Sequence, residues 1–455
     1  MFALDNKGLK ISAALGLTCG LALAFVMWRE TPPPREVLSK PRAASIRPAA
    51  DTSTQAATTS AGQPRTTTPG DTTAPSIRAT PRRAQSASAN RLPVAELDLR
   101  AAKEKDGRLV QKLSGKRVVE YTVMEPLQRR AEAILQKADV PFGSLVAMEP
   151  STGRVLAYAQ HSSLRPEMKN LPGMANPPAA SVFKVITAAA LLEHARVSPD
   201  HRTCFHGGSR GLRLHHLKDN PNRDVRCATL TEALGKSTNA VFGKLADQNL
   251  TPAILDKYTK SFGFNREIPF VLPVQMSKAE FPADRLTFAQ VSAGFYHTHL
   301  SPMHGAMVAS AVANGGVMVA PKLVERFLVN GIPTWERKTT PLGRAIHEKT
   351  ARVLSNMMVS TTETGTAGPY FRNRADSLKG IRVAGKTGTL SVKAEDGTRH
   401  RFSWFVGFAP ADNPRIAISA LVVNVGEWRI KGAYLAREAF ETYFETIQKT
   451  DISQR

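Results

Sequence analysis

The pattern of hydrophobic and polar positions divides the chain into stretches of different character. Ile11 to Trp28 is apolar or small throughout and carries no charge, with Lys7 and Lys10 before it and Arg29 after it. As a helix this run would reach about 27 Å, enough to cross the hydrocarbon core of a bilayer. Ala22-Leu-Ala24 resembles a signal-peptide cleavage site, but the apolar run continues to Trp28, a residue suited to an interfacial anchor. The pattern predicts an uncleaved transmembrane anchor at 11–28 behind a cytoplasmic tail at 1–10. Residues 29–91 are rich in Pro, Thr, Ser and Ala with scattered basic residues, and lack the apolar content to order themselves. A disordered linker is expected, spanning roughly 40 Å end to end.

Periodicity returns near Leu92. Residues 92–121 read as a short juxta-domain segment, because Glu96 to Glu120 is rich in charge. Residues 122–450 read as one large domain. Its pattern predicts an amphipathic helix through Leu135, then a strand-turn-strand unit in which Gly143 to Met148 and Arg154 to Tyr158 flank Glu149-Pro-Ser-Thr-Gly153. A helical middle runs from Ser181 to about His297, with Val182 to His194 as its apolar spine. Further helical segments are expected at Thr229 to Asn249, Thr287 to Phe295 and Met303 to Asn314. Strands follow at Gly380 to Ala384, Phe402 to Phe408 and Arg415 to Val423. The last helix, Ala433 to Gln448, carries an apolar stripe of Ala436, Ala439, Phe440, Tyr443, Phe444 and Ile447. Strands at both ends of a helical middle predict an α/β arrangement of the α+β type, an antiparallel sheet covered by helices with a helical subdomain.

Composition changes this picture little. The 455 residues are 42% hydrophobic, ample for a core, and the net charge of +23 first suggests nucleic acid. Several of the basic residues punctuate the linker, however, and no interleaved aromatic and basic pattern or zinc-finger signature accompanies them. A solvated cationic tether fits better, and no nucleic-acid partner is expected. There are three cysteines. Cys19 sits in the apolar run; Cys204 and Cys227 could be free thiols or a disulfide. The nearby His206, His215 and His216 invite zinc, but their spacing fits no standard finger or ribbon.

Three strings carry the chemistry: Ser181-Val-Phe-Lys184, Ser237-Thr-Asn239 and Lys386-Thr-Gly-Thr389. A serine hydroxyl is a weak nucleophile until a base takes its proton. A lysine three residues on along a helix lies on the same face, and burial between Phe183 and Val185 would depress its pKa and make it such a base. Ser237 can relay a proton, and the Asn239 amide can bond both the lysine and a substrate amide. Lys386 and Thr387 can hold a carboxylate, while Gly385 and Gly388 allow a backbone to approach the strand that extends from Ile381. Taken alone, Ser-Thr-Asn suits a helix cap and Lys-Thr-Gly an exposed basic edge strand. The ordered triple is far more specific than its parts.

With these strings the domain resembles the transpeptidase domain of penicillin-binding proteins, a β-lactamase-like fold. The resemblance runs from about Thr122 to Phe444 and includes Thr229 to Leu234, Ala313-Asn-Gly-Gly316, Thr364-Gly-Thr-Ala367 and Trp404 to Pro410. It implies a serine D,D-transpeptidase that cross-links peptidoglycan stem peptides and is acylated by β-lactams. Ser181 would be the nucleophile, Lys184 its base, Ser237 the proton relay and Asn239 a positioning group. Lys386, Thr387, Gly388 and Thr389 would bind substrate, with the N–H groups of Ser181 and Thr389 holding the oxyanion. Neither a metal nor an organic cofactor is implied. The stretch before the domain is too short for a glycosyltransferase domain, so a monofunctional form with a separate glycosyltransferase partner is expected. It would sit in the cytoplasmic (inner) membrane with its catalytic domain in the periplasm. The alternatives are a D,D-carboxypeptidase or β-lactamase-like hydrolase on the same fold, or a non-catalytic scaffold. Two departures stand out: Ala289-Gln-Val-Ser-Ala-Gly294 replaces a Gly-Gln-Gly string common in relatives, and Leu390 follows the Lys-Thr-Gly-Thr string.

Overall fold

The computed structural model describes residues 92–453 apart from 106, 210 and 394–396. The expected span 11–28 and linker 29–91 lie outside the described residues, among which no helix is long and apolar enough to cross a membrane.

The charged stretch Glu96 to Glu120 is built as sheet. It holds β1 (Lys103–Lys105), β2 (Arg108–Leu113) and most of β3 (Arg117–Tyr121). Strands β2 and β3 bury alternate residues, Leu109 with Gln111 and Val119 with Tyr121, so Arg108, Lys112 and Glu120 line the other face. Helix α1 (Glu125–Lys137) then leads into the hairpin β4 (Phe142–Met148) and β5 (Val155–His161). The helical middle opens with α2 (Lys184–Glu193) and the small hairpin β6 (Arg202–Phe205) and β7 (Arg226–Thr229). It continues through α3 (Leu230–Gly235), α4 (Asn239–Asn249), α5 (Pro252–Ser261), α6 (Arg285–Ser292) and α7 (Pro302–Ala313). Four short strands follow, β8 (Val317–Val319), β9 (Val324–Val329), β10 (Ile332–Glu336) and β11 (Pro341–Arg344). The chain closes with α8 (Glu348–Glu363), α9 (Gly368–Phe371), β12 (Ala384–Lys393), β13 (Arg399–Ala409), β14 (Ile416–Val425) and α10 (Gly432–Ser453).

The central sheet has five strands in the order β12-β13-β14-β4-β5, every pairing antiparallel. The first and last thirds of the domain therefore meet in the middle of the sheet, where β14 pairs with β4. Helices cover both faces, so β4 is buried at every position and β14 at all but its last. Ile416, Ile418, Ala420 and Val422 of β14 point toward Leu127 and Leu135 of α1 and toward Ala436, Ala439, Phe440 and Phe444 of α10. The apolar stripe of α10 is the stripe read from its periodicity. The other face packs on α7, whose residues from Pro302 to Val312 are all buried. A second five-stranded sheet, β1-β2-β3-β9-β10, stands apart from the first. Strand β12 is an edge of the central sheet, and that edge faces the helical lobe carrying α3 and α8.

Candidate active site

Ser181 does not open a regular helix. Ala180–Phe183 form a tight 3-10 turn, with Ala180 held at φ +49°, and α2 begins at Lys184. The strained turn is pinned from two sides. Trp404 of β13 donates its indole N–H to the Pro178 carbonyl at 2.9 Å. Gly294, at φ +80°, lies so close that a Cβ there would sit 2.2 Å from the Ala180 carbonyl oxygen. Only glycine satisfies both demands.

Lys184 is fully buried between Phe183 and Val185, as its apolar neighbours predict. Its Nζ lies 2.9 Å from Oγ of Ser181, 2.7 Å from Oδ1 of Asn239 and 2.5 Å from the carbonyl oxygen of Ala293. A neutral amine has two N–H bonds and one lone pair. Two of the partners are carbonyl oxygens that can only accept, so they take the N–H groups. The lone pair is left facing the Ser181 hydroxyl. Burial, and then the charge of Lys386, hold this amine well below the ordinary lysine pKa. The geometry and the electrostatics agree on a base ready to accept a proton.

The helical pattern predicted at Thr229 to Asn249 places Ser237 and Asn239 within one helix. The structure breaks it: α3 ends at Gly235, Ser237 takes a left-handed φ of +57°, and α4 starts at Asn239. Serine, threonine and asparagine compete with the helix by bonding nearby backbone, which makes this string a natural place to break. The break turns Ser237 toward β12, where its Oγ accepts from Nζ of Lys386 at 2.9 Å. Asn239 faces the other way. Its Nδ2 donates to the carbonyls of Gly208 and Ser209 at 3.3 and 3.4 Å, while its Oδ1 holds Lys184.

Strand β12 begins at Ala384 and not at Gly380. The carbonyls of Ile381 and Val383 accept from Arg374 and from Thr362, and neither residue pairs with β13. From Ala384 the strand pairs with β13 through Lys386, Thr387, Gly388 and Thr389. Lys386 is fully buried and donates to Ser237 and to the Thr387 carbonyl at 2.8 Å; burial pushes its pKa down to about 7. Both glycines sit where the chain packs closely. A Cβ on Gly385 would meet the Phe405 ring at 2.3 Å, and one on Gly388 would sit 3.2 Å from Val182 Cγ2. Gly388 lets β12 lie against the turn that carries Ser181, while Gly385 makes room for the Phe405 ring of β13.

The structure thus brings Ser181, Lys184, Ser237, Asn239, Lys386 and Thr387 into one linked cluster, with Gly388 and Thr389 next along the same strand. Two contributors went unassigned in the sequence. The Ala293 carbonyl holds the amine of Lys184, and any residue could supply a carbonyl; its trace is the departure at Ala289 to Gly294. Thr366 lies 2.5 Å, oxygen to oxygen, from the Thr387 hydroxyl and donates its N–H to the Gly235 carbonyl. It falls in the Thr364-Gly-Thr-Ala367 string, which had been given no role. Cys204 and Cys227 are joined as a disulfide across β6 and β7, which settles the choice against two free thiols.

Similarity to known proteins agrees with this arrangement. The family profile described as the penicillin binding protein transpeptidase domain matches residues 143–445. The chain is 28% identical over 348 residues to the peptidoglycan D,D-transpeptidase PbpA of Mycolicibacterium smegmatis, covering 68% of this chain and 68% of that protein. It spans 62% of the like-named Mycobacterium tuberculosis protein. Among solved structures, the D,D-transpeptidase domain of a peptidoglycan glycosyltransferase from Eggerthella lenta is similar with a TM-score of 0.59 and 26% identity, over 72% of this chain and 83% of that one. Penicillin-binding protein A of Mycobacterium tuberculosis, solved as an imipenem acyl-enzyme, shares the fold with a TM-score of 0.59 and 24% identity, over 71% of this chain and 79% of that one.

Proposed function

Because the chain belongs to the family of penicillin-binding protein transpeptidase domains, we propose that it is a serine D,D-transpeptidase that cross-links peptidoglycan stem peptides. The observation that carries this reading is the amine of Lys184, held by two carbonyls with its lone pair toward the Ser181 hydroxyl. Ser181 Oγ attacks the carbonyl carbon between two terminal D-alanines as its proton passes to Lys184 Nζ. The N–H groups of Ser181 and Thr389 stabilise the oxyanion. Ser237 passes a proton to the departing D-alanine amine, and the C–N bond breaks to leave an ester on Ser181. The amine of a neighbouring stem then attacks the ester and regenerates the serine. The stem peptide lies along the edge strand β12 with its carboxylate on Lys386, Thr387 and Thr389. A β-lactam opens onto the same serine and stays there.

The remaining parts follow the same reading. The apolar run 11–28 anchors the protein in the cytoplasmic membrane, 29–91 tethers it, and the catalytic part works outside on strands made by a separate glycosyltransferase. The decisive experiment is labelling with fluorescent penicillin. The wild-type protein takes one covalent label and Ser181→Ala takes none; a variant that still labels overturns the assignment. Mass analysis of products from a stem pentapeptide and an acceptor amine then separates transfer from the hydrolysis expected of a carboxypeptidase.

A further inference from the structure

The loop joining β6 to β7 carries three histidines that acyl transfer does not use. His206 follows β6, and His215 and His216 lie in the 3-10 turn Leu214–His216. One ring nitrogen from each lies within 4.8 Å of the others. His206 and His216 are buried, each 8% exposed, while His215 faces solvent.

Three observations set this cluster apart from ordinary ring packing. Nδ1 of His206 is 2.5 Å from a carboxylate oxygen of Asp224. A carboxylate only accepts, so Nδ1 carries the proton and Nε2 holds a free lone pair. That Nε2 is buried and has no hydrogen-bond partner among the described residues, an arrangement native structures avoid without a reason. Asp224 is itself fixed, accepting from Lys244 Nζ at 2.7 Å and from the Asn220 N–H at 3.0 Å. A carboxylate behind an imidazole is the arrangement that orients a histidine toward a metal. Finally, the loop makes room for the rings: Gly207 is at φ +58°, and a Cβ there would meet His216 Nε2 at 2.4 Å.

We propose that His206, His215 and His216 form a binding site for a zinc-class divalent cation, with the fourth position open to water. Imidazole nitrogens suit Zn2+, which takes them at about 2.0–2.1 Å in tetrahedral geometry. That geometry sets the nitrogens roughly 3.3 Å apart, so the loop draws in on binding. His216 also gives up the 3.1 Å bond its Nδ1 accepts from the Arg213 N–H. The ion acts as a brace for the active site. Gly208 and Ser209, whose carbonyls hold Asn239, stand two and three residues from His206. Lys244, which anchors Asp224, lies on the same helix α4 that Asn239 opens. Clamping His206 to the 214–216 turn fixes the segment against which Asn239 orients Lys184. The binding claim stands apart from the proposed reaction; the brace rests on it.

The test uses the untagged full-length chain in detergent, stripped with a chelator and kept non-reducing so that Cys204 and Cys227 stay joined. Titration with Zn2+ against a chromophoric chelator is expected to show one ion per chain. His215→Ala, which alters an exposed residue and leaves the fold alone, weakens binding by about tenfold or more. Asp224→Asn weakens it by about 10–100-fold through His206. Co2+ in place of zinc gives tetrahedral visible bands without thiolate charge transfer, which separates these ligands from cysteine. Zinc-loaded protein reacts with fluorescent penicillin several-fold faster than stripped protein, and the gain disappears in His215→Ala. Failure of the wild-type chain to bind one equivalent, or unchanged affinity in His215→Ala, overturns the site. Intact binding with no change in labelling rate overturns the brace.

Discussion

Lys184 and Lys386 are both fully buried, yet the chemistry asks opposite charge states of them. Lys184 works as a neutral base and Lys386 as a cation facing a carboxylate. Burial lowers both, but Lys184 also feels the charge of Lys386 and is driven well below the ordinary lysine value, while Lys386 settles at about 7. Lys386 is protonated below its pKa, so the free enzyme loses that charge as pH rises through about 7. The second-order rate of labelling by fluorescent penicillin, followed from about pH 5 to 9, should therefore fall on its alkaline side with a midpoint near 7. Lys386→Ala should label more slowly and lose that limb. An alkaline limb that survives in the variant assigns the titration to another group. At this scale the sequence was informative wherever chemistry demands a particular side chain: a buried lysine three residues after a serine has few other uses. It marked Ala293 only through the departure at Ala289 to Gly294, because a backbone carbonyl leaves no mark on residue type.

Elements position these groups, and the hairpin β6–β7 is the one whose removal tests that claim most directly. Its disulfide joins residues 23 apart in sequence, and the loop it closes supplies the Gly208 and Ser209 carbonyls to Asn239. Closing a loop of this size stabilises by roughly 3 kcal/mol in the chain-entropy picture. The double variant Cys204→Ser, Cys227→Ser should melt earlier by calorimetry and react with penicillin several-fold more slowly, because Asn239 loses a fixed partner. Unchanged melting and unchanged labelling would together show that the loop plays no part in positioning. Periodicity located most helices within a few residues, including α7 and α10, whose apolar faces are long. It missed the break between α3 and α4, since residues on both sides continue one helical pattern through the left-handed turn at Ser237. It also placed the start of β12 too early, because Ile381 and Val383 look like strand residues while their carbonyls are claimed by Arg374 and Thr362.

The whole molecule corrects the expected extent of the folded unit. The boundary read near Thr122 followed the charge of Glu96 to Glu120, but β2 and β3 each bury one face, so charge dominates the composition of the stretch while Leu109, Gln111, Val119 and Tyr121 do the packing. Strand β3 pairs with β9 in the middle of the second sheet, two hundred residues away in sequence. Leu109, Val119 and Tyr121 are almost fully buried there, as is Phe327 of β9. The Thr122 hydroxyl, in turn, bonds the carbonyls of Val155 and Lys322. A chain started at residue 122 would leave β9 and β10 as a bare hairpin, marginal by itself, with an unpaired edge and Phe327 uncovered. Each of the three lost side chains contributes about 1.5–3 kcal/mol of burial, a large share of the net stability of a domain. A chain started at residue 92 keeps every described strand. The shorter chain should therefore aggregate or melt many degrees earlier, whereas the chain from 92 should label with penicillin at the full-length rate. Equal melting temperatures for the two truncations would show that the second sheet is dispensable, and would return the boundary to Thr122.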